Sequence, residues 1–265
     1  MPTPAILGIP FDAKSSFLRG AAQAPPLIRE AMISDAANLW TETGVDLGAE
    51  DAYVDSGDLD LSETNAFGEI ETAVEQLLEE GMRPVCLGGD HSITYPIVRA
   101  FSRKYPQLTI VHFDAHPDLY DEFEGDKLSH ACPFARIMEG GLASRLIQLG
   151  LRTLNGHQRE QAARFKVEQY EMERLPRADV LNLQGPVYIS FDMDVLDPAF
   201  APGISHREPG GMTVREATHF LHAITGQIVG ADIVEYNPTR DVDQMTAVVG
   251  SKILKEIMGK IILST

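Results

Sequence analysis

Short runs that are apolar at nearly every position, each followed by a longer segment of helical period, constrain this chain more than any other feature. The runs are ILGIP (6–10), PVCLGG (84–89), LTIVHF (108–113), RLIQLGLR (145–152), VYISFDM (187–193) and GADIVEYN (230–237). A run without polar alternation is buried on both faces, and strands separated by helices pair in parallel under two helical layers. The spacing predicts helices over 24–40, 66–81, 92–105, 156–166, 213–225 and 243–258. Prolines stand where the first can begin, and Gly81 suits the end of the second. Pro96 should offset or interrupt the third. No repeat or linker divides the 265 residues, so one domain spanning 1–265 is expected. Residues 117–129 and 198–211 read as long loops, which in compact domains are often functional.

The ends of four runs carry the chemistry. PVCL leads into GGDHS (88–92), LTIVHF into DAHPD (114–118), VYISF into DMDVLDP (192–198) and ADIV into EYNP (235–238). Ligands of open parallel sheets bind outside the carboxyl ends of the strands. One rim would therefore gather His91, Asp114, His116, Asp118, Asp192, Asp194 and Glu235. Alternate residues of an extended segment point the same way, so Asp114, His116 and Asp118 can share a side, as can Asp192 and Asp194. Four carboxylates at close range cannot all stay ionised without cations. Four aspartates and two histidines exceed one zinc site, and they suit two metals sharing carboxylates. Oxygen-rich ligation with some imidazole favours Mn²⁺, with Co²⁺, Ni²⁺ or Fe²⁺ as alternatives.

The segments GGDHS, DAHPD, SFDMDVLDP (190–198) and DIVEYNP (232–238) resemble, in order, the four signature segments of the ureohydrolases, the arginase and agmatinase family. The likeness runs from LGIPFD to the last helix. It implies a three-layer α/β/α fold with a central parallel sheet of about eight strands. It also implies a dinuclear manganese enzyme that hydrolyses a guanidinium and releases urea. By motif, His91, Asp114, Asp118 and Asp192 would hold one metal. His116, Asp114, Asp192 and Asp194 would hold the other, with Asp114 and Asp192 bridging. Glu235 matches the carboxylate that binds the guanidinium, and His130 in SHACPF matches the loop histidine that passes a proton to the leaving amine. Asp90 is expected to support the ligands rather than join them.

In arginases an asparagine two residues beyond DxHxD helps hold the α-amino and α-carboxylate groups; here Tyr120 stands there, closer to agmatinases. The following loop offers Asp121, Glu122, Glu124 and Asp126 against Lys127, which suits the dication agmatine. Agmatine hydrolysis to putrescine and urea is therefore the expected reaction. Arginine, guanidinobutyrate and formiminoglutamate are the alternatives. A metallophosphoesterase and a non-catalytic polyamine-binding protein are remoter ones.

A formal charge of −17 favours cations and repels nucleic acid and anionic membranes. Two cysteines, no long apolar run and no leader-like N-terminus point to a reducing, cytoplasmic setting. The resemblance adds a homo-oligomer, a trimer or hexamer. Asp197 reads as a turn residue, His112 as a packed or hydrogen-bonded histidine, and His206, His219 and His222 as histidines without partner spacing. Gly88 and Gly89 read as a tight turn and not a phosphate cradle.

Overall fold

The computed structural model describes residues 2–62 and 64–264. Eight strands form: β1 (Pro4–Ile9), β2 (Val54–Asp58), β3 (Arg83–Gly88), β4 (Thr109–Phe113), β5 (Arg145–Leu151), β6 (Glu168–Glu171), β7 (Pro186–Asp192) and β8 (Gln227–Val234). They make one parallel sheet in the order β2-β1-β3-β8-β7-β4-β5-β6. The helices are α1 (Ala24–Met32), α2 (Ala66–Glu79), α3 (Thr94–Lys104), α4 (Pro133–Glu139), α5 (Gly156–Phe165), α6 (Val214–Ala223) and α7 (Met245–Leu263). The expected α/β/α architecture and strand number are both present.

Six strands, β1, β3, β4, β5, β7 and β8, each feed two cores, which is why their runs are apolar throughout. Val187, Ile189 and Phe191 of β7 pack with Ile28 of α1, Leu221 of α6 and Leu254 of α7. Tyr188, between them, faces the opposite way and packs with Ile70 of α2, Phe101 of α3 and Phe134 of α4. One apolar face alone would have left one helical layer without a partner.

Three expectations need amendment. The helix expected over 24–40 ends at Met32, because Ile33 leaves helical geometry (φ −102°, ψ 9°) and a turn bonds the Ala37 amide to the Ser34 carbonyl. Pro96 neither interrupts nor offsets α3. It occupies the first turn, where its missing N–H breaks no helical bond. The edge strands β2 and β6 and the helix α4 were not anticipated: VDSGD and EQYE lack a buried apolar face, and PFARIME is too short to show a period.

The sheet order places β3, β8, β7 and β4 side by side, so their carboxyl ends form one continuous rim at the centre of the molecule. Gly89 lets the turn after β3 form. A Cβ there would lie 1.8 Å from the Phe11 carbonyl oxygen, while the Gly89 and Asp90 amides bond the Ile9 and Phe11 carbonyls.

Candidate metal centre

His91 opens a short 3-10 turn after β3, and its ring points into the rim with no exposed surface. Its Nδ1 lies 3.0 Å from Asp118 Oδ2 and 3.2 Å from the Oδ2 atoms of both Asp114 and Asp192. None of the three is aligned as a hydrogen bond, which leaves Nδ1 a buried polar atom without a partner. The far nitrogen explains the tautomer. Ser190 and Tyr188 of β7 and Thr94 of α3 all donate to the buried carboxylate of Asp232 at 2.7–2.8 Å. With its proton committed to Asp232, Ser190 Oγ is left to accept from His91 Nε2 at 3.0 Å. Nδ1 then presents a lone pair to three carboxylates, an arrangement that a cation completes.

A second group lies beside the first. His116 Nδ1 is 3.0 Å from Asp194 Oδ2 and 3.4 Å from Asp114 Oδ1, and these three residues could hold an ion. Asp114 thus turns one oxygen to each group. Asp192 accepts the Asp194 amide at Oδ1 (2.7 Å) and turns Oδ2 to within 3.2 Å of His91 Nδ1. All six residues named from the sequence are therefore brought together, with Asp114 reaching both groups.

The protonation pattern follows the crowding. Burial raises Asp192 well above the usual carboxylate value, and the charges of Asp194 and Asp114 push the same way. Burial opposes charge on His91 and His116, but their carboxylate neighbours prevail and hold both well above the ordinary imidazole value. Protons stand where divalent ions would.

His112 could join the first group by distance, but both its nitrogens are taken. Nδ1 accepts from Gln148 at 2.9 Å, and Gln148 also donates to the Pro117 carbonyl. Nε2 then donates to Asp114 Oδ2 at 2.7 Å. His112 therefore orients the shared carboxylate. Phe134, at the start of α4, stacks on His112 and meets the His91 ring edge-on. Asp90 does not touch the His91 ring; it caps the turn at Ser92 and accepts from the Lys14 amide and the Ser15 hydroxyl.

Glu235 follows β8 with a left-handed backbone (φ 63°), as Asp118 does after β4 (φ 47°). Such geometry in non-glycine residues costs about 1 kcal/mol or more and concentrates at functional sites. Glu235 Oε1 accepts the His91 amide at 2.9 Å and lies 2.8 Å from His130 Nδ1. Burial opposes its ionisation, but His130 prevails and lowers Glu235 below its usual value. His130 itself is raised to about 9, burial opposing and the Glu235 charge prevailing.

A cavity of about 250 Å³ opens over these residues, walled by Tyr120, Phe123, Thr153, Gln158, Ser16 and His206. Asp121, Glu122, Glu124 and Asp126 do not line it. Asp121 pairs instead with Arg136 and Asp126 with Lys14. Asp197 accepts the amides of Ala199, Gly210 and Gly211, as a turn residue does. Cys132 lies outside the cavity lining, with its thiol pushed up to about 12, chiefly by burial. His206 was missed. Its ring centroid lies 5.7 Å from that of His116 and 5.5 Å from that of His130, brought there by a loop whose sequence has no ligand spacing.

Comparison with known proteins agrees with this geometry. The family model described as the arginase family matches residues 3–259. "Arginase 1, mitochondrial" of Arabidopsis thaliana is 49% identical over 97% of this chain and 80% of its own length. "Agmatinase" of Bacillus anthracis is 36% identical over 96% of this chain and 90% of its own. The solved "Arginase from Medicago truncatula" superposes with a TM-score of 0.93 at 44% identity, covering 98% of this chain and 87% of that one.

Proposed function

The chain belongs to the arginase family, and from that premise we propose that it hydrolyses a small guanidino compound to urea and an amine, with L-arginine ahead of agmatine. The observation that carries the reaction is the coupling of two sites through one residue. The amide of His91 holds Glu235, a carboxylate able to grip a guanidinium, while the ring of His91 faces three carboxylates that call for a cation.

His91, Asp114, Asp118 and Asp192 are proposed to hold one divalent ion, and Asp114, His116, Asp192 and Asp194 a second. Mn²⁺ is the proposed metal given the oxygen-rich donors, and Co²⁺, Ni²⁺ and Fe²⁺ are alternatives. When bound, such a pair supplies Lewis-acid activation of a water molecule. Glu235 accepts two guanidinium N–H groups and orients the central carbon over the carboxylate cluster. Its fixed backbone and the His91 amide keep that orientation. Water adds to the carbon and loses one proton to solvent and one to the alkyl nitrogen. The bond to that nitrogen breaks as His130 delivers its second proton. Urea and the alkylammonium then part, and His130 is recharged from solvent. The walls formed by Tyr120, Phe123 and Gln158 limit entry to a small molecule.

Arginine is placed first because the relative matched at 49% is named an arginase and the one at 36% an agmatinase. Of the acidic residues that favoured agmatine, Asp121 pairs with Arg136 and Asp126 with Lys14, and none of the four lines the cavity. Agmatine stays as the second reading on one observation: no Lys or Arg lines the cavity among the described residues, so no fixed cation waits for an α-carboxylate. Comparing kcat/KM for urea release from arginine, agmatine and guanidinobutyrate tests this. Arginine fastest supports the first reading; agmatine equal or faster replaces it with the second.

A single domain over 1–265, a homotrimer or homohexamer and a cytoplasmic location complete the proposal. No helix among the described residues is long and apolar enough to cross a membrane. The relatives named mitochondrial or chloroplastic make an organelle the alternative location.

A further inference from the structure

A strap of residues 12–20 lies across the loop that carries His130. Asp12 fixes one end by accepting the Gly20 and Ala22 amides at 2.7 and 3.2 Å. Asp90, fully buried, holds the middle, where it accepts the Lys14 amide at 2.9 Å and the Ser15 hydroxyl at 3.3 Å. Lys14 grips the loop itself: its ammonium pairs with Asp126 at 2.7 Å, and its carbonyl accepts the His130 amide at 3.3 Å. These bonds set Ser16 against the imidazole. The Ser16 amide donates to His130 Nε2 at 3.2 Å, and the Ser16 hydroxyl lies 2.8 Å from the same nitrogen.

The two Ser16 groups differ in what they can bond. An amide N–H only donates, so it suits the neutral ring with a bare Nε2 and with its proton on Nδ1, towards Glu235. A hydroxyl can donate to that lone pair or accept from Nε2–H, so it bonds either form. We propose that Ser16 is the positioning residue for His130, its amide bonding the neutral ring and its hydroxyl following the ring through both protonation states, while Glu235 holds Nδ1. The inference rests on the reading of His130 as proton donor to the leaving amine. In the charged ring Nε2–H is accepted by Ser16 Oγ. When that proton has passed to the amine nitrogen, Oγ–H turns and donates to the bare Nε2, which regains a proton from solvent. Ser16 and His130 both line the cavity, so the route is open. The other groups facing the ring are the carboxylates of Glu235, Asp118 and Asp90 and the imidazole of His206. They are common to all variants of residue 16, and comparison among those variants isolates the hydroxyl.

The test compares wild type, Ser16→Ala and Ser16→Thr, each loaded with Zn²⁺ as a diamagnetic ion for ¹⁵N-histidine NMR and with Mn²⁺ for kinetics. His130 resonances are assigned by their loss in His130→Gln. Ser16→Ala should move the His130 Nε2 resonance and its titration midpoint. It should also lower kcat about tenfold with KM within about twofold, because Glu235 still holds the ring at Nδ1. Ser16→Thr should restore both readouts. A Ser16→Ala protein with a wild-type Nε2 resonance, or a Ser16→Thr protein that restores neither readout, would overturn the inference. The resonance decides this even if the wild-type protein releases no urea. A competent ureohydrolase whose Nε2 signal ignores residue 16 retires this inference alone.

Discussion

At the scale of single residues, the site is defined by which atoms are already spoken for. Ser190 fixes one nitrogen of His91, Gln148 fixes one of His112, and backbone amides take one oxygen each of Asp192 and Asp194. What is left over points inward. Asp114 offers an oxygen to each group, so Asp114→Asn should empty both metal positions, read by metal analysis of purified protein. His112→Phe removes the hydrogen bond that orients Asp114 together with the one from Gln148; it should weaken metal affinity by about 10–100-fold while the fold persists, measured by titration calorimetry and circular dichroism. Because their surroundings favour the protonated forms of His91, His116 and Asp192, metal competes with protons, and affinity should fall as pH is lowered. Affinity independent of pH between about 5 and 8 would contradict the ligand set. DAHPD and its companion motifs made the six ligands legible, because strand ends and alternation are local. Ser16, His112 in its orienting role, and His206 were not legible as site residues. Ser16 meets His130 across 114 positions, and no spacing rule connects a residue on a strap to an imidazole on a distant loop.

Among the elements, the central strands could be read from composition because burial on both faces leaves no polar alternation. The edges could not. β2 is VDSGD, exposed along its length, and its place in the sheet comes from pairing with β1. The rim depends on how closely two turns approach, which makes Gly89 a sharp test. Gly89→Ala would set a methyl against the Phe11 carbonyl; the turn must move, and His91 with it, so metal binding should be lost or the protein destabilised by about 1–3 kcal/mol. Away from the site, Glu42 joins the segment after α1 to Arg215 of α6 and Lys252 of α7. Those hydrogen bonds, Arg215 first, lower it to about 2. A carboxylate depressed in the folded state contributes stability above its unfolded value, and that contribution is lost as pH falls through the folded one. The Tm difference between wild type and Glu42→Gln should therefore be present at pH 6 and shrink from about pH 4.5 towards 2. The pair is largely exposed, so its contribution stays below about 1 kcal/mol.

For the whole molecule, the sheet order is what turns four separate motifs into one centre: β3, β8, β7 and β4 are neighbours although their motifs are spread from residue 88 to 238. An ion that binds only the folded arrangement stabilises all of it. Free metal at about 100 times its dissociation constant should add about 2.7 kcal/mol per site, seen as a rise in Tm that a chelator reverses. The formal charge of −17 works in the same direction by drawing cations to the surface. The most direct measurement of the central claim is urea release from guanidino substrates by the Mn²⁺-loaded protein, before and after chelation. The account predicts urea and the matching amine in equal amounts, abolished by the chelator and regained with metal. A folded, metal-loaded protein that releases no urea from arginine, agmatine or guanidinobutyrate would contradict it.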